Sequence, residues 1–295
     1  MFMKLVDWID KTKLDYDYLS SVPEAIEILK EHREKINWTK LSKNPGAIEL
    51  LKEHPEKINW HMLSGNPGAI ELLKQHPEKI NWNYLSTNPN AIELLKANPH
   101  KINWYLLSCN TNAIQLLKEN QDNINWLGLS ANPNAIEIIN NNLDKVSWDL
   151  LSTNPSAIKI LKANQDKINW LGLSLNQNAI EIINNNLDKI EWFYLSENKK
   201  AINLLKNNLD KINWFVLSAN PGAIDIIIEN IENYQINWSQ LSTNPAIFVY
   251  DYEKIRNHNK DLKEEIIAKA LHPKRIFRLI EEYGEDIIYD IYLDD

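Results

Sequence analysis

Apolar and polar positions recur along this chain in one unit, K-I-N-W-x-x-L-S-x-N-P-x-A-I-E-L-L-K-x-N-x-D, with a period of 22 residues. Trp38, Trp60, Trp82, Trp104, Trp126, Trp148, Trp170, Trp192 and Trp214 mark the period, Tyr16 extends it upstream, and Trp238 follows two residues late, giving eleven copies. Two helical segments fit each copy. In the copy at 44–53, Asn44 suits an N-cap and Pro45 the first helical position. Ala47, Ile48, Leu50 and Leu51 then form an apolar stripe at helical spacing, and Lys52 complements the dipole at the helix end. His54 follows, in a slot that is Asn in later copies such as Asn98 and Asn120. Both residue types tolerate the left-handed backbone that ends many helices, so that conformation is expected here. Pro55, Pro77 and Pro99 prevent continuation. The shorter first segment is capped by Asn37 and places Trp38 and Leu41 on one face. The Leu-Ser pair recurs in all eleven copies, from Leu19-Ser20 to Leu241-Ser242.

Helices of one or two turns do not stand alone in water, so stacking on neighbours must stabilise them. A fixed short period is the mark of a solenoid, in which each unit touches only its neighbours. The fold class expected is all-α: an α-solenoid of eleven helix–turn–helix repeats of about 22 residues with terminal caps. Each unit contributes one Trp as a core anchor and about five aliphatic side chains, each worth ~1.5–3 kcal/mol when buried, before ordering entropy is counted. A leucine-rich repeat is the rival architecture, since L-S-x-N echoes its motif. That motif needs an apolar residue five positions before the Asn, where this chain has Thr39, His61, Asn83 and Asp149 among others, so the helical reading is preferred. Helix pairs stacked at ~8–10 Å would make a rod or superhelix on the order of 100 Å long. The expected organisation is an N-terminal amphipathic cap at 1–14, the repeats at 15–245, and a C-terminal helical cap with an acidic tail at 246–295. Within the last, Lys263 to Leu271 and Lys274 to Tyr283 read as helices, separated by His272-Pro273 and closed by Gly284.

Composition narrows the function more than it names it. A net charge of -8 argues against a broad nucleic-acid backbone clamp. Cys109 is the only cysteine, which excludes an internal disulfide and suits a reducing compartment. No apolar run approaches the ~20 residues of a membrane span, and Asp7 and Asp10 interrupt any signal-like stretch at the start. A cytoplasmic protein without membrane contact is expected.

Candidate chemistry is thin. His32, His54 and His76 occupy one slot in successive units, but equivalent atoms in stacked repeats lie ~8–10 Å apart and zinc needs nitrogen at ~2.0–2.1 Å. Cys109 has no base and orienter in its vicinity, and the eleven serines lie in no nucleophile-elbow motif. Their regularity argues for hydrogen bonding into the neighbouring turn. The Asn columns read as helix caps. Lys269, Lys274, Arg275 and Arg278 surround His272 and could grip a phosphate or an acidic partner, but Glu281, Glu282, Glu285 and Asp286 follow closely, which favours a solvated or internally paired cluster. The acidic, apolar stretch 285–295 reads as folding back in cis or docking on another chain. No catalytic residue, metal ligand or cofactor is expected.

The informative positions are the two slots after each Trp, which vary while their neighbours hold fixed. Variable positions on a regular scaffold are where solenoids place binding residues. The candidates for partner contact are Tyr105, Leu106, Leu127, Leu171, Phe193, Tyr194, Phe215 and Val216. Burial of these slots between helices is the competing reading.

The copies of I-N-W-x-x-L-S-x-N-P-x-A-I-x-L-L resemble the short tryptophan-containing repeat proteins encoded by giant, mimivirus-like DNA viruses. The segment N-P-A-I-F-V-Y-D-Y at 244–252 and A-L-H-P-K-R at 270–275 are similar to the closing part of such proteins. The resemblance covers Tyr16 to about Tyr283. It implies a viral origin and a solenoid build, and no catalytic residues. Thr111, Gln177 and Lys199 depart from the helix-opening Pro. The function expected is a non-enzymatic scaffold for protein–protein interaction, an adaptor or decoy for host proteins in the host-cell cytoplasm. The alternative is a structural or virion-associated rod-like component, for which self-association would be expected.

Overall fold

The structure is a computed structural model describing residues 2–232 and 235–284; the stretch 285–295 lies outside the described residues. The fold is all-α and repetitive, with one two-stranded sheet. The described residues form two compact units, one within 5–249 and the other made of residues 2–4 together with 250–284.

Each repeat has four parts. In repeat 2, a first helix Trp38–Lys43 leads through a 3₁₀ turn, Pro45–Ala47, into a second helix, Ile48–Glu53, and then a 3₁₀ turn, Pro55–Lys57. The first helix starts where Asn37 accepts from the Lys40 amide, as a cap should. The second ends differently from expectation. His54 has φ -132° and ψ 61°, and among the described residues no non-glycine residue has positive φ. The proline that follows is compatible with this backbone but not its cause, since Asn120 and Asn164 adopt it before Gln; it is the conformation from which the Lys57 amide closes the 3₁₀ turn on the His54 carbonyl.

The fully buried interior is built from the Leu-Ser pair, the Ala at the second helix start and the last aliphatic residue of that helix, such as Leu41, Ser42, Ala47 and Leu51. The Trp column is not part of it. Trp38 through Trp238 are half-buried, and in most repeats the Lys three residues before the next repeat's Trp lies over the ring. Lys79 sits 4.5 Å from the Trp60 centroid, and Lys101, Lys145, Lys167, Lys189 and Lys211 repeat the arrangement at 4.4–5.1 Å. The rings act as cation–π glue between repeats rather than as core anchors.

Polar side chains set the stacking. Every Ser of the Leu-Ser pair donates to the carbonyl four residues back, at 2.6–2.8 Å. Its Oγ also accepts the backbone N–H that opens the next repeat: Asn37 on Ser20, Asn59 on Ser42, and onward to Asn237 on Ser218, at 2.9–3.0 Å. The buried Asn column does two jobs. Asn88 Oδ1 accepts from the Asn90 amide, capping the turn into the second helix, while Nδ2 donates to the carbonyls of Ser64 and Asn66 in the preceding repeat. The side chain is thereby satisfied inside the protein, as burial requires.

The array does not run out as a rod. The Asp15 N–H donates to Ser242 Oγ at 2.9 Å, the same bond that joins every other pair of neighbours, but from the last repeat to the first. Lys13 lies 5.0 Å from the Trp238 centroid, matching the Lys-on-Trp contacts elsewhere. Ser239 Oγ donates to Asp15 Oδ2 at 2.9 Å, and the Val6 N–H donates to the Ile247 carbonyl. Residues 5–249 therefore close into a ring of eleven repeats, and the expectation of an extended rod is corrected by these contacts. Small equal rotations between repeats sum to a full turn. The seam lacks one feature of the other junctions: Val22 occupies the Asn slot of repeat 1 and has no side-chain amide to donate. Glu24, in the slot where Asn90 donates to the Pro67 carbonyl, leaves Oε2 buried without a hydrogen-bond partner.

In the other unit, Asp251 donates its N–H to the Phe2 carbonyl, and helices span Tyr252–His258, Lys260–Ala270 and Pro273–Tyr283. The last two match the sequence reading within three residues, and Gly284 follows the last helix with φ 93°, a backbone that glycine adopts without steric cost.

Removing a Ser hydroxyl orphans a buried N–H, which costs about 1–3 kcal/mol. Ser130→Ala is predicted to destabilise the protein by that amount in denaturant unfolding. Ser242→Ala is predicted to cost a similar amount, because it breaks the seam. In an open array Ser242 would face no neighbour, and its substitution would be neutral.

Candidate protein-interaction surface

First helices of successive repeats approach one another closely, whereas second helices are spaced further apart and are bridged by long side chains such as Lys118 to Glu137 at 2.6 Å and Lys162 to Glu181 at 2.7 Å. In a closed ring the closer elements lie nearer the axis, so the first helices form the inner circumference. Leu41 and Ser42 turn into the protein, while Thr39 and Lys43, four apart, share the exposed face. The first slot after each Trp is therefore presented inward.

The structure separates the two variable slots. Tyr105, Leu127, Leu171, Phe193 and Phe215, all in the first slot, are 43–51% exposed. Leu106, Tyr194 and Val216, in the second slot, are half-buried. The second slot packs on the preceding repeat, as its glycines show. A Cβ on Gly128 would meet the Tyr105 carbonyl at 2.9 Å and Cys109 Sγ at 2.8 Å, and one on Gly172 would meet the Asp149 carbonyl at 2.8 Å. Such contacts make the first-slot residues of neighbouring repeats adjacent, so the apolar ones form a strip interrupted by Asp149.

The first slots on the rest of the circumference, Asp17, Thr39, His61, Asn83 and Ser239, are polar. The cap Asn of the next repeat reaches back to hold the first-slot residue: Asn103 donates to Asn83 at 2.9 Å, Asn169 to Asp149 at 2.8 Å, and Asn81 bonds His61. Asp17 accepts from both Asn37 and Lys40, and the Lys40 ammonium, then the Asn37 amide, hold its carboxyl below the usual range. Apolar first-slot residues have no such tether. The sequence did not reveal this second use of the cap Asn. Nor did it reveal that Tyr84, in the second slot, is 39% exposed.

Other candidates have structural explanations. His32, His54 and His76 stack edge-on against Tyr16, Trp38 and Trp60, with centroids 4.9–5.2 Å apart. Burial pushes the Cys109 thiol up, which makes it a poorer nucleophile at neutral pH. In the other unit, Lys269 pairs with Glu265 at 2.5 Å, and Lys274, Arg275, Arg278 and His272 line the same shallow hollow. Among the described residues, no helix is long and apolar enough to cross a membrane. No family model matches the chain, and no curated protein or solved structure matches it either.

Phe193→Asp combined with Phe215→Asp is predicted to leave helicity unchanged and to cost under ~1 kcal/mol, because exposed side chains contribute little to packing. Leu195→Ala, at a position with no exposed surface, should cost about 2–5 kcal/mol. Circular dichroism with urea titration separates the two, and unfolding of the double variant would place the strip in the core.

Proposed function

We propose that this protein is a non-enzymatic scaffold that binds another protein along the inner strip from Tyr105 to Phe215. The observation that carries the reading is the strip itself. Five large apolar side chains stand exposed on six consecutive repeats, on first helices whose other apolar residues are buried or half-buried. Contiguous exposed apolar surface on a soluble scaffold marks an interaction site. Of the two variable slots the packing leaves the first one free, so the strip can differ from repeat to repeat without disturbing the ring. The resemblance to giant-virus repeat proteins adds the expectation of a host partner in the cytoplasm, met by an adaptor or decoy. The alternative of a rod-like structural component has less behind it, because a closed array offers no unpaired repeat end for lengthening.

An affinity capture from cell lysate, run with light scattering on the purified chain, tests this. The expected result is a monomeric mass and a specific retained protein that is lost from the Phe193→Asp, Phe215→Asp variant. Retention unaffected by that variant, or large self-assemblies in its place, would overturn the proposal.

A further inference from the structure

Charge along the strip identifies the kind of partner it fits. From Asn103 to Ala219, the first helices and their flanking cap residues carry three charges, Asp149, Glu191 and Glu197, and no cation. All three are exposed, and none takes part in an ion pair among the described residues. Lys40 and Lys43 lie in repeat 2, outside this arc, and the lysines that cover Trp rings within it, Lys145, Lys167, Lys189 and Lys211, are each preceded by an aspartate, Asp144, Asp166, Asp188 and Asp210, so the balance along the arc stays acidic. Glu191 is the more telling of the three. It stands where the other copies place Asn, Asp or Ser, and its side chain makes no capping bond, whereas Asn169 and Asn213 on either side do. A missing N-cap bond weakens the start of its helix. That local cost leaves a free carboxylate beside Leu171 and Phe193.

We propose that the strip receives a basic amphipathic segment of its partner, an inference that rests on the protein-binding reading above. Apolar side chains of the segment would cover Leu127, Leu171, Phe193 and Phe215. Its Lys or Arg residues would meet Asp149 between the two leucines, and Glu191 and Glu197 at the aromatic end. Opposite charge across an interface steers encounter and fixes register, and an apolar face with flanking cations is the pattern of helices that dock into grooves. Room is sufficient. Eleven helix axes spaced ~8–10 Å apart enclose a circle of about 30 Å, leaving on the order of 15–20 Å between facing side chains. One helix with its side chains is about 10–12 Å wide.

Two dye-labelled synthetic peptides of ~18 residues test the inference by fluorescence anisotropy with the full chain. One carries Leu and Lys at amphipathic helical spacing, the other Leu and Glu. The Leu/Lys peptide should bind at least tenfold more tightly. Asp149→Gln, Glu191→Gln and Glu197→Gln together should weaken it at least tenfold. Glu49→Gln, Glu71→Gln and Glu93→Gln, which remove the same charge from second helices, should not. Phe193→Ser with Phe215→Ser should also weaken it. Equal losses from the two triple variants would reduce the effect to net charge and overturn the proposal. Equal binding of both peptides, abolished by the Phe variant, would keep the interaction strip and overturn the basic partner. If neither peptide binds while a lysate protein is still held through Phe193 and Phe215, the partner chemistry fails and the scaffold stands. If nothing binds by any route, both fail.

Discussion

The structure depends on a hydrogen bond between a serine hydroxyl and the backbone N–H that opens the next repeat. Helices of four to seven residues in the repeats have no independent stability, so each must be held by its neighbour, and apolar contact alone is non-directional. The Ser Oγ supplies direction. It is fixed from behind by its own helix carbonyl and accepts from in front, as with Ser130 between Trp126 and Ser147. The buried Asn beside it adds two donated bonds to the same junction, as Asn154 does to Ser130 and Asn132. Together these columns impose one spacing and one rotation at every step. A constant rotation either spirals or closes, and here the eleventh step returns to Asp15.

Closure also explains residues that look irregular in the alignment of copies. Lys13-Leu14-Asp15 repeats the Lys-Ile-Asn that precedes Trp elsewhere. Its partner is repeat 11. Asp15 in place of Asn and Ser239 in the first slot are a matched exchange: elsewhere the cap amide donates to the first-slot acceptor, and here the first-slot hydroxyl donates to the cap carboxylate. The missing Asn at Val22 and the unpartnered Glu24 oxygen make this junction the least completely bonded, which fits a join closed without chain connectivity.

Much of this was legible in the sequence, and the rest was not for physical reasons. The two helices of each repeat, the Asn37-type cap, the inward Leu-Ser pair and the pair of C-terminal helices follow from local spacing and capping chemistry. The 3₁₀ turns, such as Pro55–Lys57, are three residues long and too short to show a period. The Trp column misled because a large apolar residue at fixed spacing implies a core, whereas a ring half-covered by the next repeat's Lys has the same spacing. Closure depends on a rotation per repeat that no single copy encodes, although Lys13-Leu14-Asp15 was a signal for it. At the candidate surface, the split between exposed Phe193 and half-buried Tyr194 follows from how the following repeat covers the second slot, as Gly128 and Gly172 show.

The ring is the central claim, and one distance tests it. Dyes placed on Ser21→Cys and Thr243→Cys, with Cys109→Ser removing the native thiol, label equivalent positions in the first and last repeats. Closure makes these repeats neighbours, stacked at ~8–10 Å, and predicts near-complete energy transfer that persists at low concentration and vanishes on unfolding in denaturant. An open array would hold the two labels on the order of 100 Å apart, and negligible transfer in the folded protein would contradict the ring.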